Sequence, residues 1–184
     1  MRSRLSALII LCCVMANAHA SEGKVSLSAG YFSINAEASG EKSSISNPTM
    51  FHVGYLQPRW DKFEFKIGYT LLMADFSGSD LGYGIDAGMN YYPFSDASDE
   101  TLQTSTLKVK RYEIWRPLIG LSFNQRNFQS VRNSYAGFGV NAGVERYYDE
   151  KINFKGEVRY VSLGGSNESE ATETALLLGV VFKL

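Results

Sequence analysis

Large apolar residues occupy every second position along several segments of this chain, and small or charged residues stand between them. The pattern is clearest between residues 62 and 73, where the apolar positions are Phe63, Phe65, Ile67, Tyr69 and Leu71. Such alternation predicts an extended strand with one apolar face and one polar face. Eight segments follow this rule and predict an all-β fold: residues 24–34, 49–57, 62–73, 81–92, 112–123, 135–148, 152–162 and 175–184.

The second face of these segments is rich in glycine and carries a few charges of both signs. A soluble β-sandwich turns its outer faces to water and covers them with long polar side chains. A narrow closed sheet instead packs small residues and paired charges inside it. We therefore predict an eight-stranded antiparallel up-and-down transmembrane β-barrel, with a soluble sheet as the alternative. The charges predicted to lie in the lumen are Glu64, Lys66, Asp86, Glu145, Lys155, Glu157, Arg159 and Lys183.

The connections between the predicted strands alternate between long polar loops and short turns. Long loops are expected at residues 35–47, 74–80, 124–134 and 164–172, and short turns at residues 58–61 and 149–151. With the amino terminus in the periplasm, every long loop would lie outside the cell, as in outer-membrane barrels. Residues 93–111 are compatible with a periplasmic loop, a hairpin or an extension of the next strand. Pro117 cannot donate a ladder hydrogen bond and predicts a bulge or kink.

The amino terminus predicts secretion. Arg2 and Arg4 precede an apolar run from residue 5 to residue 15, and small residues end at Ala20, so we expect signal-peptide cleavage near Ala20 and a barrel domain at residues 21–184. The apolar run is shorter than the roughly 20 residues that a transmembrane helix needs. Both cysteines, Cys12 and Cys13, lie in this run, so the mature chain is predicted to have no disulfide, thiol nucleophile or thiolate metal site.

The charge balance of the mature chain argues against two classes of binding partner. Its 164 residues carry 16 Lys and Arg and 19 Asp and Glu, which predicts neither nucleic-acid binding nor a polybasic membrane-surface role. All 24 aromatic residues lie in the mature chain, and many adjoin predicted turns. Aromatic girdles at both interfaces are typical of membrane barrels.

The carboxyl-terminal segment ALLLGVVFKL resembles the terminal insertion signal of bacterial outer-membrane proteins, with Gly179, Phe182 and Leu184 at the matching positions. Together with residues 88–94 and 139–160, it resembles the small outer-membrane β-barrel superfamily that includes the OmpA transmembrane domain and OmpX. The resemblance covers essentially the whole mature chain. It implies an integral outer-membrane location, with outer-membrane lipid, lipopolysaccharide and the barrel assembly machinery as partners. Its motifs are architectural and imply no activity, no cofactor and no particular surface ligand.

Three functions are compatible with a small outer-membrane β-barrel. The favoured one is a non-enzymatic barrel with a structural or surface-interaction role through its extracellular loops. A narrow channel for small solutes is the alternative, although charges in a low-dielectric lumen are costly unless they are paired. A lipid A-modifying enzyme would need a nucleophile near a base, for which the mature chain offers His52 and the loop residues Ser77, Ser79 and Asp80, without a deacylase motif. No catalytic or metal site is predicted, because one histidine and scattered carboxylates lack ligand spacing.

Overall fold

The computed structural model describes residues 23–38, 41–45, 49–73, 81–98, 100–103, 108–111, 113–128, 134–165 and 169–184, so the predicted signal peptide lies outside the described residues. Their strands are β1 (Lys24–Ala38), β2 (Glu41–Ile45), β3 (Thr49–Trp60), β4 (Phe63–Met73), β5 (Leu81–Tyr91), β6 (Glu100–Gln103), β7 (Lys108–Arg111), β8 (Trp115–Phe128), β9 (Ser134–Tyr147), β10 (Ile152–Gly164) and β11 (Glu170–Lys183). None of the described residues forms a helix long and apolar enough to cross a membrane.

Eight of these strands close into one antiparallel barrel. They follow the order β1, β3, β4, β5, β8, β9, β10 and β11, and β11 pairs back onto β1. The closing ladder runs without interruption from Lys24 opposite Lys183 to Glu37 opposite Glu170. The predicted fold class is therefore confirmed, and the terminal segment is the strand that closes the barrel.

The barrel is apolar outside and polar inside. Leu121 and Phe138 are 64% and 76% exposed, whereas Asn124 and Asn141 are buried. In the terminal strand, Leu176, Leu178 and Phe182 point outward, while Leu177 and Val181 are buried. This arrangement is the inverse of that in a soluble sheet, and it is stable only where lipid covers the outer wall and closure leaves no unpaired strand edge.

Several strands are longer than the apolar pattern predicts. β1 continues to Ala38 and pairs with β2, so part of the loop predicted at residues 35–47 is a hairpin. β8 starts at Trp115 and extends to Phe128, and β11 starts at Glu170, which shortens the loops predicted at residues 124–134 and 164–172. The hydrogen-bond ladder continues beyond the lipid, where the outer face no longer needs apolar residues. The loop predicted at residues 74–80 lies outside the described residues.

The bulge predicted at Pro117 is wrong. Pro117 pairs with Val144 in an unbroken register, and the pairing of β8 with β5 begins two residues later, at Ile119. At Pro117 the edge of β8 that faces β5 is therefore not yet paired and needs no backbone hydrogen-bond donor. The irregularity lies instead in β3, between Pro58 and Trp60, so the predicted turn at residues 58–61 shortens to residues 61 and 62.

Of the three alternatives for residues 93–111, the structure forms a hairpin. β6 and β7 pair with each other in a separate two-stranded sheet and do not extend β8. The preceding residues 92–98, here called the mouth segment, fold back onto the barrel. The amides of Tyr92 and Ala97 donate to the carbonyls of Lys62 and Asp61, at 2.9 and 2.5 Å. The mouth segment thereby covers the periplasmic opening of the lumen.

Candidate functional site

The lumen is the concave site that this fold creates, and its extracellular part is an apolar layer. The side chains that form this layer are Phe32, Ile34, Met50, Leu72, Tyr135, Val161, Leu163, Ala171, Ala175 and Leu177. The alternation of the sequence does not reveal it, because Met50 and Leu72 share a strand face with His52 and Thr70 further down. The odd or even position of a residue in its strand assigns it to the lumen, but it does not say at which height the lumen becomes apolar.

Among the residues of this apolar layer, a fully buried arginine joins two carboxylates; Glu173 pairs in the ladder with Ile34 and Val161, and Arg126 pairs with Tyr135. The Arg126 guanidinium donates to both oxygens of Glu173, from Nε at 2.7 Å and from Nη2 at 3.0 Å. Its Nη1 donates to Asp86 Oδ1 at 2.7 Å. Asp86 also accepts a hydrogen bond from the Thr70 hydroxyl. Because each carboxylate faces a guanidinium, the charges compensate one another inside the low-dielectric lumen.

The middle of the lumen continues this network along β10. Glu157 accepts from Lys155 Nζ at 2.8 Å and from Arg159 Nη2 at 2.9 Å. From the opposite wall, Lys66 Nζ donates across the lumen to Asn141 Oδ1 on β9 at 2.6 Å, and the Asn141 amide donates to Asn90 at 3.3 Å. Arg159 Nη1 lies 3.6 Å from Asp86, which links the middle layer to the one above.

At the periplasmic end, the mouth segment inserts Tyr92 between two glutamates. The Tyr92 hydroxyl lies 3.0 Å from Glu64 Oε1 and 2.8 Å from Glu145 Oε1. Tyr92 follows the last residue of β5, and burial together with these carboxylates raises the pKa of its phenol well above the usual value. The phenol therefore keeps its proton and acts as a hydrogen-bond donor to the carboxylates.

Two lumen cations hold the mouth segment from the other side. The carbonyl of Ala97 accepts from Lys24 Nζ at 2.6 Å and from Arg116 Nη2 at 2.5 Å. Lys24 also pairs with Glu64 at 2.8 Å, and the Arg116 guanidinium lies 5.0 Å from the centre of the Tyr92 ring. The mouth segment is thus fastened to several walls of the barrel at once.

Most of the charges predicted for the lumen lie in this network. Glu64, Lys66, Asp86, Glu145, Lys155, Glu157 and Arg159 are all buried. Lys183 is only half-buried at the periplasmic end, where its Nζ lies 5.1 Å from the centre of the Tyr147 ring.

Sequence reasoning missed several partners of these charges: Lys24, Arg116, Arg126, Glu173 and Tyr92. Arg126 falls in a predicted loop because the apolar alternation ends before it. Lys24 could have been found, since it shares the parity of the lumen face at the start of β1.

The residues of the predicted insertion signal lie in or directly after the terminal strand, and His52 lies inside the lumen. Phe182 and Leu184 lie on the outer wall, and a Cβ at Gly179 would come within 2.3 Å of the Leu27 carbonyl oxygen. His52 is buried with Nε2 at 3.6 Å from Asp86 Oδ2, and Gly68 leaves the space for its ring.

The described residues add no catalytic partner to His52 and no metal-ligand cluster. The candidate partners of His52, Ser77, Ser79 and Asp80, lie outside the described residues. Among the described residues, no three His, Cys, Asp or Glu side chains are placed to hold a metal ion.

Comparisons with solved structures agree with this architecture. The chain is similar to Neisserial surface protein A, with 19% identity, 88% of this chain and 97% of that chain covered, and a TM-score of 0.59. It is also similar to the N-terminal β-barrel domain of Pseudomonas aeruginosa OprF, with 15% identity, the same coverages of 88% and 97%, and a TM-score of 0.53. The outer membrane protease OmpT from Escherichia coli is 8% identical over 91% of this chain and 99% of that chain, with a TM-score of 0.50. At these identities the likeness shows the fold alone.

The family comparison covers almost the whole chain. A comparison with curated proteins found no match. The family described as "Outer membrane protein beta-barrel domain" matches residues 5–183. The chain therefore belongs to the outer-membrane β-barrel domain family and is an integral protein of the outer membrane.

Proposed function

We propose that this protein is a closed, non-enzymatic barrel with a structural or surface-interaction role at the outer membrane. The observation that carries the proposal is that buried side chains from facing strands occupy the lumen and contact one another across it. The apolar layer, with the Arg126–Glu173 pair embedded in it, occupies its extracellular part, the rest of the ion-pair network occupies its middle, and the mouth segment covers its periplasmic opening. An eight-stranded barrel leaves an interior that side chains can fill.

The packed lumen argues against the channel alternative. A permeating ion would have to cross the apolar layer, and apolar constrictions block conduction by losing water. It would then have to separate Arg126 from Glu173, and Lys155 from Glu157, whose contacts are 2.7 and 2.8 Å long. Separating buried, compensated pairs leaves uncompensated charges in a low-dielectric interior.

Planar-bilayer recording tests the closed barrel. Folded mature chain, verified by its heat-modifiable migration on a gel, should give no discrete conductance steps, while a trimeric porin measured in the same chamber should give them. Reproducible steps from the folded protein would establish the channel and refute the closed barrel. This test is independent of any surface ligand.

The surface role is assigned to the extracellular end of the barrel. There β2 extends the sheet beside β1 and β11, because β1 pairs with both of them beyond Ile34. Replacing residues 39–43 by a short turn, or shortening residues 129–133, should reduce attachment of expressing cells to host or abiotic surfaces without loss of folded barrel. Unchanged attachment and unchanged envelope resistance in both variants would count against a loop-mediated role.

The enzyme alternative lacks a specific supporting observation. His52 lies beneath the apolar layer with Asp86 beside it, so a lipid substrate has no direct route to its ring. We expect the lipid A mass spectrum of expressing cells to stay unchanged. No cofactor is proposed. Outer-membrane lipid, lipopolysaccharide and the barrel assembly machinery are proposed as partners, the last through Gly179, Phe182 and Leu184.

A further inference from the structure

An apolar groove of about 600 Å³ crosses the outer wall of the barrel. Its floor is Ala142, a small residue flanked in the ladder by Ile119 on β8 and Val158 on β10. The next row of the same wall, Leu121, Val140 and Tyr160, rises on one side. Large side chains around a small one make a concave surface on a wall that is otherwise convex.

A cation lies on the same outer face, towards the periplasm. Arg146 is exposed on β9, four residues from Ala142, which is about 13 Å along a strand. Its guanidinium lies 5.2 Å from the centre of the Trp115 ring. Within the described residues, Arg146 has no carboxylate partner in an ion pair. Stacking on Trp115 orients the guanidinium plane and leaves its N–H edge available.

The position of Trp115 fixes the depth of this cation. Aromatic contacts mark the periplasmic interface nearby, with Phe63 and Tyr91 rings 5.0 Å apart and Tyr148 and Phe154 rings 5.4 Å apart. One leaflet of the hydrocarbon core is about 15 Å deep, half of about 30 Å. The distance from Arg146 to Ala142 therefore fits within the periplasmic leaflet, with the cation at the level of the phosphates.

We infer that this groove binds one phospholipid of the periplasmic leaflet, with its phosphate at Arg146 and an acyl chain along the seam between β8 and β9. A guanidinium recognises phosphate oxygens through paired N–H donors. From Arg146 the chain passes Val144 and Pro117, which pair with each other, and reaches Ala142 beside Ile119. The groove begins beside Ala142 and Ile119, so the site joins a charge for the headgroup to an apolar groove that takes the distal part of the acyl chain.

Native mass spectrometry of the folded mature protein tests this site, with palmitoyl-oleoyl-phosphatidylglycerol titrated into the detergent. Arg146→Gln should weaken the first binding event about tenfold or more, because it removes charge-assisted hydrogen bonds. Ala142→Phe should weaken it similarly by filling the floor of the groove while Arg146 remains. The matched control is Lys151→Gln, which removes an exposed cation from the turn after β9 and should leave the affinity unchanged.

Both Arg146 and Ala142 face outward, so their variants should keep the heat-modifiable migration of the folded barrel. Glycerol 3-phosphate, which has no acyl chain, should not compete with the lipid. Equal losses in Arg146→Gln and Lys151→Gln would show general electrostatic attraction, and unchanged binding in Arg146→Gln and Ala142→Phe would show no site; both results overturn the inference. Dimers that disappear in Ala142→Phe would assign the groove to a second copy of this chain and would overturn it as well.

Discussion

Replacing Arg126 by Met should destabilise the barrel more than any other single change in the lumen network. Arg126 is fully buried and donates three hydrogen bonds to carboxylates, two to Glu173 and one to Asp86, at 2.7 to 3.0 Å, and a fourth to the Gln125 carbonyl at 3.1 Å. Met has a similar length but no charge, so the two carboxylates remain buried without this partner. Removing one member of a buried ion pair costs about 3–5 kcal/mol. We expect a loss of about 4 kcal/mol, or nearly a thousandfold in the ratio of folded to unfolded protein.

Equilibrium unfolding in urea, in lipid vesicles and followed by tryptophan fluorescence, measures this loss. Two controls accompany the variant. Arg126→Met combined with Glu173→Gln removes one of the two stranded charges and should recover part of the lost stability. Lys66→Met removes a cation whose hydrogen bond goes to the neutral amide of Asn141, so its cost should be near that of a single hydrogen bond, about 1 kcal/mol.

An unfolding free energy of Arg126→Met within about 1 kcal/mol of that of the unmodified protein, or equal to that of Lys66→Met, would refute the role of the buried charge. Either result would mean that water enters the lumen and solvates Asp86 and Glu173. A failure of the double variant to recover stability would mean that packing of the arginine stem, and not its charge, carries the effect.

Three further changes test other parts of the structure. Gly30→Ala should prevent refolding, because the new Cβ would lie 1.8 Å from the Leu176 carbonyl oxygen, whereas Gly156→Ala, with its nearest contact at 3.5 Å, should refold normally on a heat-modifiability gel. Tyr92→Phe removes the hydroxyl that contacts two carboxylates and should lower the urea unfolding free energy by about 1.5–3 kcal/mol; no change would show that the mouth segment does not lock the barrel. Phe182→Ala should slow assembly into the outer membrane of cells but not refolding in detergent, and equal effects in both assays would argue against an insertion signal.

The contacts of the mouth segment could not be predicted from sequence patterns. Residues 95–98 have neither alternation nor a motif, and the burial of the mouth segment depends on contacts with Lys24, Arg116 and the turn after β3. Those partners are separated from it by 19 to 73 residues. Only the closed barrel brings them to one opening, so local sequence carries no signal for the contact.

The sequence alone determined the strands within the membrane and their faces, because lipid outside and a filled lumen inside impose a period of two on every strand. That is why residues 63–71 and the terminal segment could be assigned correctly. The tertiary structure decided which charges meet. Arg126 and Glu173 lie 47 residues apart, and their contact follows from the strand register and from closure of the sheet. Alternation fixes the direction of a side chain, but the ladder fixes its height, and pairing in the lumen requires both.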